Sequence, residues 1–368
     1  MNRRIKSISV LLILSLICTL FLVGCGPAGQ QEGQPSGAEE GQAEPSATEE
    51  VITLNLAHYL AESVTEWTAW DTYFAEEVEK RTNGKVKIIL HWSESLGKIP
   101  DLPELCSKGA VEMIATTPSY SPTWFRLTSA INQIPFIQKN LEESLAVAKK
   151  LYFEGPLPEV DYKQNNMKLL FVDVYREYET FAKEPFETLE DIKGKKIRTW
   201  GPYLPRAISA AGAVPVDVMP AEMFESLQRG RVDGIPWGIN AAYGNGLHEI
   251  APYISTTGIG LTPGVIRLIN IDVWNKLPAD VQQVMEEVAA ELMGEVGLEI
   301  ANSHYEEAME KLTQEGATFV EFKDRDKWIN MLPDFRAEWV KEMEGTDIEE
   351  EAKELYQMWN EALEECRS

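Results

Sequence analysis

Leu189-Glu190-Asp191-Ile192-Lys193-Gly194-Lys195-Lys196-Ile197-Arg198-Thr199 is the stretch that decides the fold class. It opens as a turn closed by Gly194 and continues as a strand over 196–199. Downstream, residues 205–212 and 221–229 carry helical spacing, and Asp233-Gly234 follows the second helix. The same alternation holds upstream. Residues 51–58 read as a strand, and 66–82 as a helix with Trp67, Trp70, Phe74 and Val78 at spacings of three and four. Gly84 ends that helix, and 85–90 resume a period of two. Then come a helix over 102–108 stopped by Gly109, a strand over 111–116, a helix over 142–152 and a strand over 168–174. Residues 265–271 read as a strand, and from Pro278 the chain is mostly helical, with a short strand over 319–322. Strands alternating with helices predict α/β layers with largely parallel sheets, without an internal repeat.

Residues 51–368 are enough for two lobes with separate cores. The net charge is −25, and loss of the three basic residues ahead of Cys25 would take it to −28. Such a body is a poor partner for nucleic acid or an anionic membrane surface, and its acidity reads as solubilising. No later apolar run is long enough to span a bilayer.

The N-terminus carries a separate message. Arg3, Arg4 and Lys6 precede an apolar run over 8–23 that ends in Leu22-Val23-Gly24-Cys25. A basic region, a short apolar core and a small-residue cleavage site make a secretory signal over residues 1–24. LVGC resembles the bacterial lipobox, which implies cleavage before Cys25 and lipid on its sulfur and new amino group. The alternatives are a signal cut elsewhere or a short membrane anchor. Residues 26–50 are Gly, Gln, Glu, Pro, Ser and Ala-rich with no aromatic residue, so 25–50 read as a lipidated cysteine and a disordered acidic linker. The mature body is therefore expected outside the cytoplasmic membrane and held to it by acyl chains. Cys106 and Cys366 remain in the body; the compartment permits a disulfide between them, which spacing alone leaves open.

No catalytic constellation stands out. Histidines at 58, 91, 248 and 304 fall in no metal-ligand spacing, and there is no GxSxG elbow, Walker loop or GxGxxG after a strand. The reading is binding without chemistry: not an enzyme, with no cofactor and no metal.

Several blocks then fall in order. Residues 74–86 read FAEEVEKRTNGKV, Leu96-Gly97 precedes Lys108-Gly109-Ala110-Val111-Glu112-Met113, and Ile134-Pro135-Phe136 follows. Residues 189–198 read LEDIKGKKIR, 228–234 QRGRVDG and 270–282 NIDVWNKLPADVQ. Together these resemble the DctP-like substrate-binding proteins of TRAP transporters, the tripartite ATP-independent carriers, over nearly all of 51–290. The resemblance implies a two-lobe periplasmic-binding-protein (Venus flytrap) fold with interleaved lobes and a long bracing helix. Lobe I would take 51–173 and lobe II 174–261, with 262–300 returning to lobe I and forming the brace. Residues 301–368 would be a helical region largely of lobe II. It also implies an extracytoplasmic receptor for a small organic acid that serves a permease with a small and a large integral-membrane subunit. The alternatives are a binding protein of an ATP-driven importer and a secreted enzyme with a carboxylate-binding cleft.

For the site, the resemblance points first to Arg198, since the arginine ending this block grips the ligand carboxylate in the family. A planar fork of donors matches a carboxylate at two points. Lys195 and Lys196 read as solvated. Some members carry a further arginine upstream, and Arg176 stands twenty-two positions before Arg198. Where sialic-acid and dicarboxylate members carry asparagine, this chain has Trp237, as in the keto-acid and hydroxy-acid branch. A glutamate before that tryptophan helps hold a cation there, but here the position is Pro236, so the metal is not carried over. Trp237 is either an aromatic wall of the site or core packing. His58, Tyr59 and Trp67 surround the loop after the first strand, where strand ends line clefts in open α/β sheets. Tyr120, Tyr175 and Tyr203 are candidates to add hydroxyls.

Overall fold

The computed structural model describes residues 51–63, 65–260 and 264–368. The signal, Cys25, the linker to residue 50 and the expected lobe boundary at 261–262 lie outside the described residues. Eleven strands are described: β1 (Ile52–His58), β2 (Val86–His91), β3 (Met113–Thr116), β4 (Met167–Val172), β5 (Tyr178–Ala182) and β6 (Lys196–Thr199) come first. β7 (Val214–Asp217), β8 (Gly234–Trp237), β9 (Tyr253–Ile259), β10 (Ile266–Asn270) and β11 (Thr318–Val320) follow. They form two sheets, in the orders β2-β1-β3-β10-β4 and β11-β9-β5-β8-β6-β7.

The periodicity of the first helix is realised as Thr65–Arg81, with Trp67, Trp70, Phe74 and Val78 all buried. Asn83 and Gly84 then adopt left-handed φ, which turns the chain tightly into β2. β1 pairs parallel with β2 and β3, and β6 pairs parallel with β7 and β8, as βαβ units require.

The sheets are mixed rather than largely parallel. β10 runs antiparallel to β3 and β4, and β5 antiparallel to β8 and β9. The reason is topological: the chain leaves the first sheet through β4 into β5, and returns from β9 into β10. Each crossing strand lies beside the one running the other way. The two crossings are tied where Asp173 N–H donates to Val265 C=O (3.1 Å) and Val265 N–H donates to Asp173 Oδ1 (2.9 Å).

Four of these strands escaped periodicity. β5 and β9 bury polar residues, with Thr180 Oγ1 2.9 Å from Thr257 Oγ1 and Ser255 Oγ accepting from Phe186 N–H. β7 and β8 carry Pro215 and Pro236. Pro236 stands across from Thr180 of β5 and, having no N–H, donates nothing to that ladder.

A long helix, Glu295–Gln314, packs on Thr65–Arg81 beside the first sheet and on Ile239–Gly244 beside the second, and so braces both lobes. Gly297 permits the close approach, because a Cβ there would strike the Trp70 ring. The last helix, Glu349–Arg367, lies on Leu141–Phe153, where Arg367 donates to Glu143 (2.8 and 3.0 Å). Cys106 is buried and Cys366 exposed, both as free thiols. No helix among the described residues is long and apolar enough to cross a membrane.

Candidate functional site

The ends of strands from both sheets meet at one small cavity. The first lobe supplies Tyr59 after β1, Trp67 from the following helix, and Thr117, Tyr120 and Asn132 from the segment after β3. The second lobe supplies Tyr178, Trp200 after β6 and Trp237 at the end of β8. Tyr175 and Val265 come from the two crossings. Strand C-terminal edges are where clefts of open α/β sheets form. The cavity holds about 10 Å³, room for one water, so the walls close on one another. Larger grooves lie on the surface, such as one of about 530 Å³ along β4.

Arg198 lies behind the Tyr120, Trp200 and Trp237 side of this cavity, wholly buried. Its Nε donates to Val218 C=O (3.0 Å) and its Nη2 to Tyr120 Oη (2.8 Å), which joins the lobes. The guanidinium lies 4.2 Å from the Trp200 ring centre and 4.5 Å from that of Trp237. Aromatic faces stabilise a desolvated cation. The remaining nitrogen, Nη1, is buried with no hydrogen-bond partner. An unpaired donor on a buried cation is costly, and an anion placed there would satisfy it.

The phenols are held protonated. Burial pushes Tyr120 up, an effect Arg198 partly offsets, and burial pushes Tyr59, Tyr175 and Tyr178 up as well. Tyr59 Oη lies 2.8 Å from Thr117 Oγ1, and the Tyr175 hydroxyl engages Asn132 and Tyr178.

Behind the cavity lies an ionic cluster. Arg267 donates to Asp71 through Nε (2.9 Å) and Nη2 (2.7 Å) and to Asp173 through Nη1 (2.9 Å). It also donates to the carbonyls of Trp67 and Val265, both 2.7 Å away, and so fixes two parts of the cavity wall from behind. Burial raises Asp71, but Arg267 and His58 together outweigh it and the net direction is down. Asp173 is pushed up to about 6, burial outweighing the same arginine.

Of the residues singled out from sequence, Arg198, Trp237, Tyr59, Trp67, Tyr120 and Tyr175 are brought together. His58 belongs to the cluster behind: its Nδ1 accepts from Leu60 N–H (2.9 Å) and its Nε2 lies 3.4 Å from Asp71. Burial lowers its pKa, so it stands neutral. Arg176 turns to the bracing helix, donating to Asn302 Oδ1 (2.6 Å) with its guanidinium 4.6 Å from the Tyr305 ring. Tyr203 faces elsewhere, its hydroxyl donating to Glu342. Sequence reasoning missed Trp200, Tyr178, Thr117, Asn132 and Arg267. Trp200, two residues after Arg198 and just past the end of β6, was the legible one, because period two continued from the strand puts both on one face. Among the described residues no group of three or more His, Cys, Asp or Glu could hold a metal ion.

Two α/β lobes joined by paired crossings, with an aromatic cleft between their strand ends, define a solute-binding receptor. The chain belongs to the DctP family, the bacterial extracellular solute-binding proteins of family 7 that serve TRAP transporters, whose model matches residues 56–343. It is 25% identical over 300 residues to the C4-dicarboxylate-binding periplasmic protein DctP of Rhodobacter capsulatus, covering 78% of this chain and 86% of that one. Among solved structures, a Bordetella pertussis extracytoplasmic solute receptor binding pyroglutamic acid shares the fold (TM-score 0.73, 18% identity, 83% of this chain and 100% of that one). So does a TRAP periplasmic solute-binding protein from Sulfitobacter sp. with bound α-D-taluronate (TM-score 0.71, 22% identity, 83% and 97%).

Proposed function

We propose that this receptor captures a small organic acid by its carboxylate on Arg198 and delivers it to a TRAP permease of two integral-membrane subunits. The observation that carries the reading is the buried guanidinium, with one unpartnered nitrogen, packed against Trp200, Trp237 and Tyr120 of the cavity wall. The acids bound by the relatives, a C4-dicarboxylate, pyroglutamic acid and taluronate, each bring a carboxylate and support the same chemistry. Arg198 contacts Tyr120 of the other lobe, so an anion bridging them favours the closed form over the open one. Cys25 anchors the body through lipid to the outer face of the cell membrane, and the linker lets it work nearby.

Mass spectrometry of the small molecules that copurify with the protein identifies the acid, and calorimetric titration measures its binding. Truncating one partner of a buried charge pair costs about 2–5 kcal/mol, so Arg198→Ala weakens binding roughly thirty-fold or more. Arg198→Lys recovers only part, because an ammonium cannot make the planar two-point contact. Affinity falls as the acid itself is protonated near pH 4. Equal binding by Arg198→Ala and the unaltered protein overturns the carboxylate reading.

A further inference from the structure

Seven of the ten residues lining the cavity are aromatic. Rings from the two lobes meet directly: Trp67 and Trp237 stand 5.0 Å apart, edge to face at 75°. Trp200 meets Trp237 at 6.0 Å and 85°, and Tyr175 stacks on Tyr178 at 5.3 Å. When the lobes part and reclose, a flat ring can take over these ring contacts at little cost in apolar area.

The unpartnered polar atoms at the wall are one-sided. The hydroxyls of Tyr59, Tyr120 and Tyr175 are engaged with Thr117, Arg198 and Asn132. Among the described residues, the buried polar atoms of this wall and its guanidinium that have no partner are Arg198 Nη1, Trp67 Nε1 and Trp237 Nε1. All three are donors. Among the described residues no carboxylate lines the cavity. A sugar acid brings several hydroxyl donors, and each one buried without an acceptor costs about 1–3 kcal/mol. A dicarboxylate brings a second charge, yet the other buried arginine behind the wall, Arg267, is already committed to Asp71 and Asp173.

From this balance we infer that the receptor's ligand is an aromatic monocarboxylate, its charge on Arg198 and its ring between the Trp67 and Trp237 walls. The inference rests on the carboxylate role of Arg198 and narrows it, setting aside polyhydroxylated acids and dicarboxylates.

The test is calorimetry on the purified protein with benzoate, phenylacetate, cinnamate and indole-3-acetate against D-glucuronate and succinate. At least one aromatic acid is expected to bind ten-fold or more tightly than both of the others. Trp237→Leu, which stays apolar but removes the aromatic face, is expected to lower that affinity about ten-fold. Its folding is checked by a single cooperative melting transition and an unchanged circular dichroism spectrum. Tightest binding of glucuronate or succinate, lost in Arg198→Ala, overturns the aromatic assignment and leaves the carboxylate receptor standing. Binding of an aromatic acid that is indifferent to Trp237→Leu also overturns it. If no acid binds, or binding is indifferent to Arg198→Ala, both fall.

Discussion

Glu179→Gln is expected to stabilise the protein at neutral pH and to leave it unchanged in mild acid. Glu179 lies in β5 directly across from Trp237 of β8, and its Oε2 accepts from Gly258 N–H (2.9 Å). Burial pushes its carboxyl from the ordinary 4.5 up to about 8, more than the Gly258 N–H can offset. The folded protein therefore holds a proton that the unfolded chain releases. Stability from this group is complete below about pH 4.5 and is lost as pH rises toward 8. One pKa unit is about 1.4 kcal/mol, so by pH 7 the penalty is about 3 kcal/mol. The side chain is partly exposed, and screening reduces this to about 2 kcal/mol. Glutamine keeps the acceptor for Gly258 and never ionises. Thermal unfolding followed at several pH values should show Glu179→Gln melting roughly 3 °C higher at pH 7 and level with the unaltered protein at pH 4.5. A residual slope between about pH 4 and 6 is expected in both, from Asp173, whose raised pKa acts with the same sign. A constant difference in melting temperature across this range would refute the argument.

Two further outcomes are expected, one from the ionic cluster and one from the N-terminal sequence. Arg267→Ala leaves Asp71 and Asp173 buried without their cation and should cost about 3–5 kcal/mol, read as a large fall in melting temperature; a loss below 1 kcal/mol would show that the cluster is not held by charge. Cys25→Ser should abolish acylation and release the body or leave the signal uncleaved, as read by intact mass and by membrane fractionation; a mature N-terminus elsewhere without acyl mass would remove the anchor.

The first helix, β1, β2 and β6 were legible because each is a local pattern. Trp67, Trp70, Phe74 and Val78 repeat at helical spacing, and Asn83-Gly84 supplies the left-handed turn between helix and strand. Arg198 was legible too, but only through its block, since an arginine at a strand end has no local mark of burial. β8 and β9 were hidden by Pro236 and by buried Ser255 and Thr257, whose partners, Phe186 and Thr180, lie far off in the chain. The mixed sheets were hidden as well, because strand direction is set by where the chain crosses between lobes.

By itself the sequence determined the alternation of strands and helices, the turn positions, the secretory signature and the order of family blocks. All of these are properties of residues close together in the chain. The tertiary structure decided the rest: that Arg198 lies between Trp200 and Trp237, that Tyr120 meets it from the other lobe, and that His58 and Arg176 stand outside the cavity. Trp67 and Trp237 touch because two crossings, tied at Asp173 and Val265, bring opposite lobes face to face. Many buried aromatic residues carry the same local signal, and only the packing of the whole chain selects which rings surround the cation.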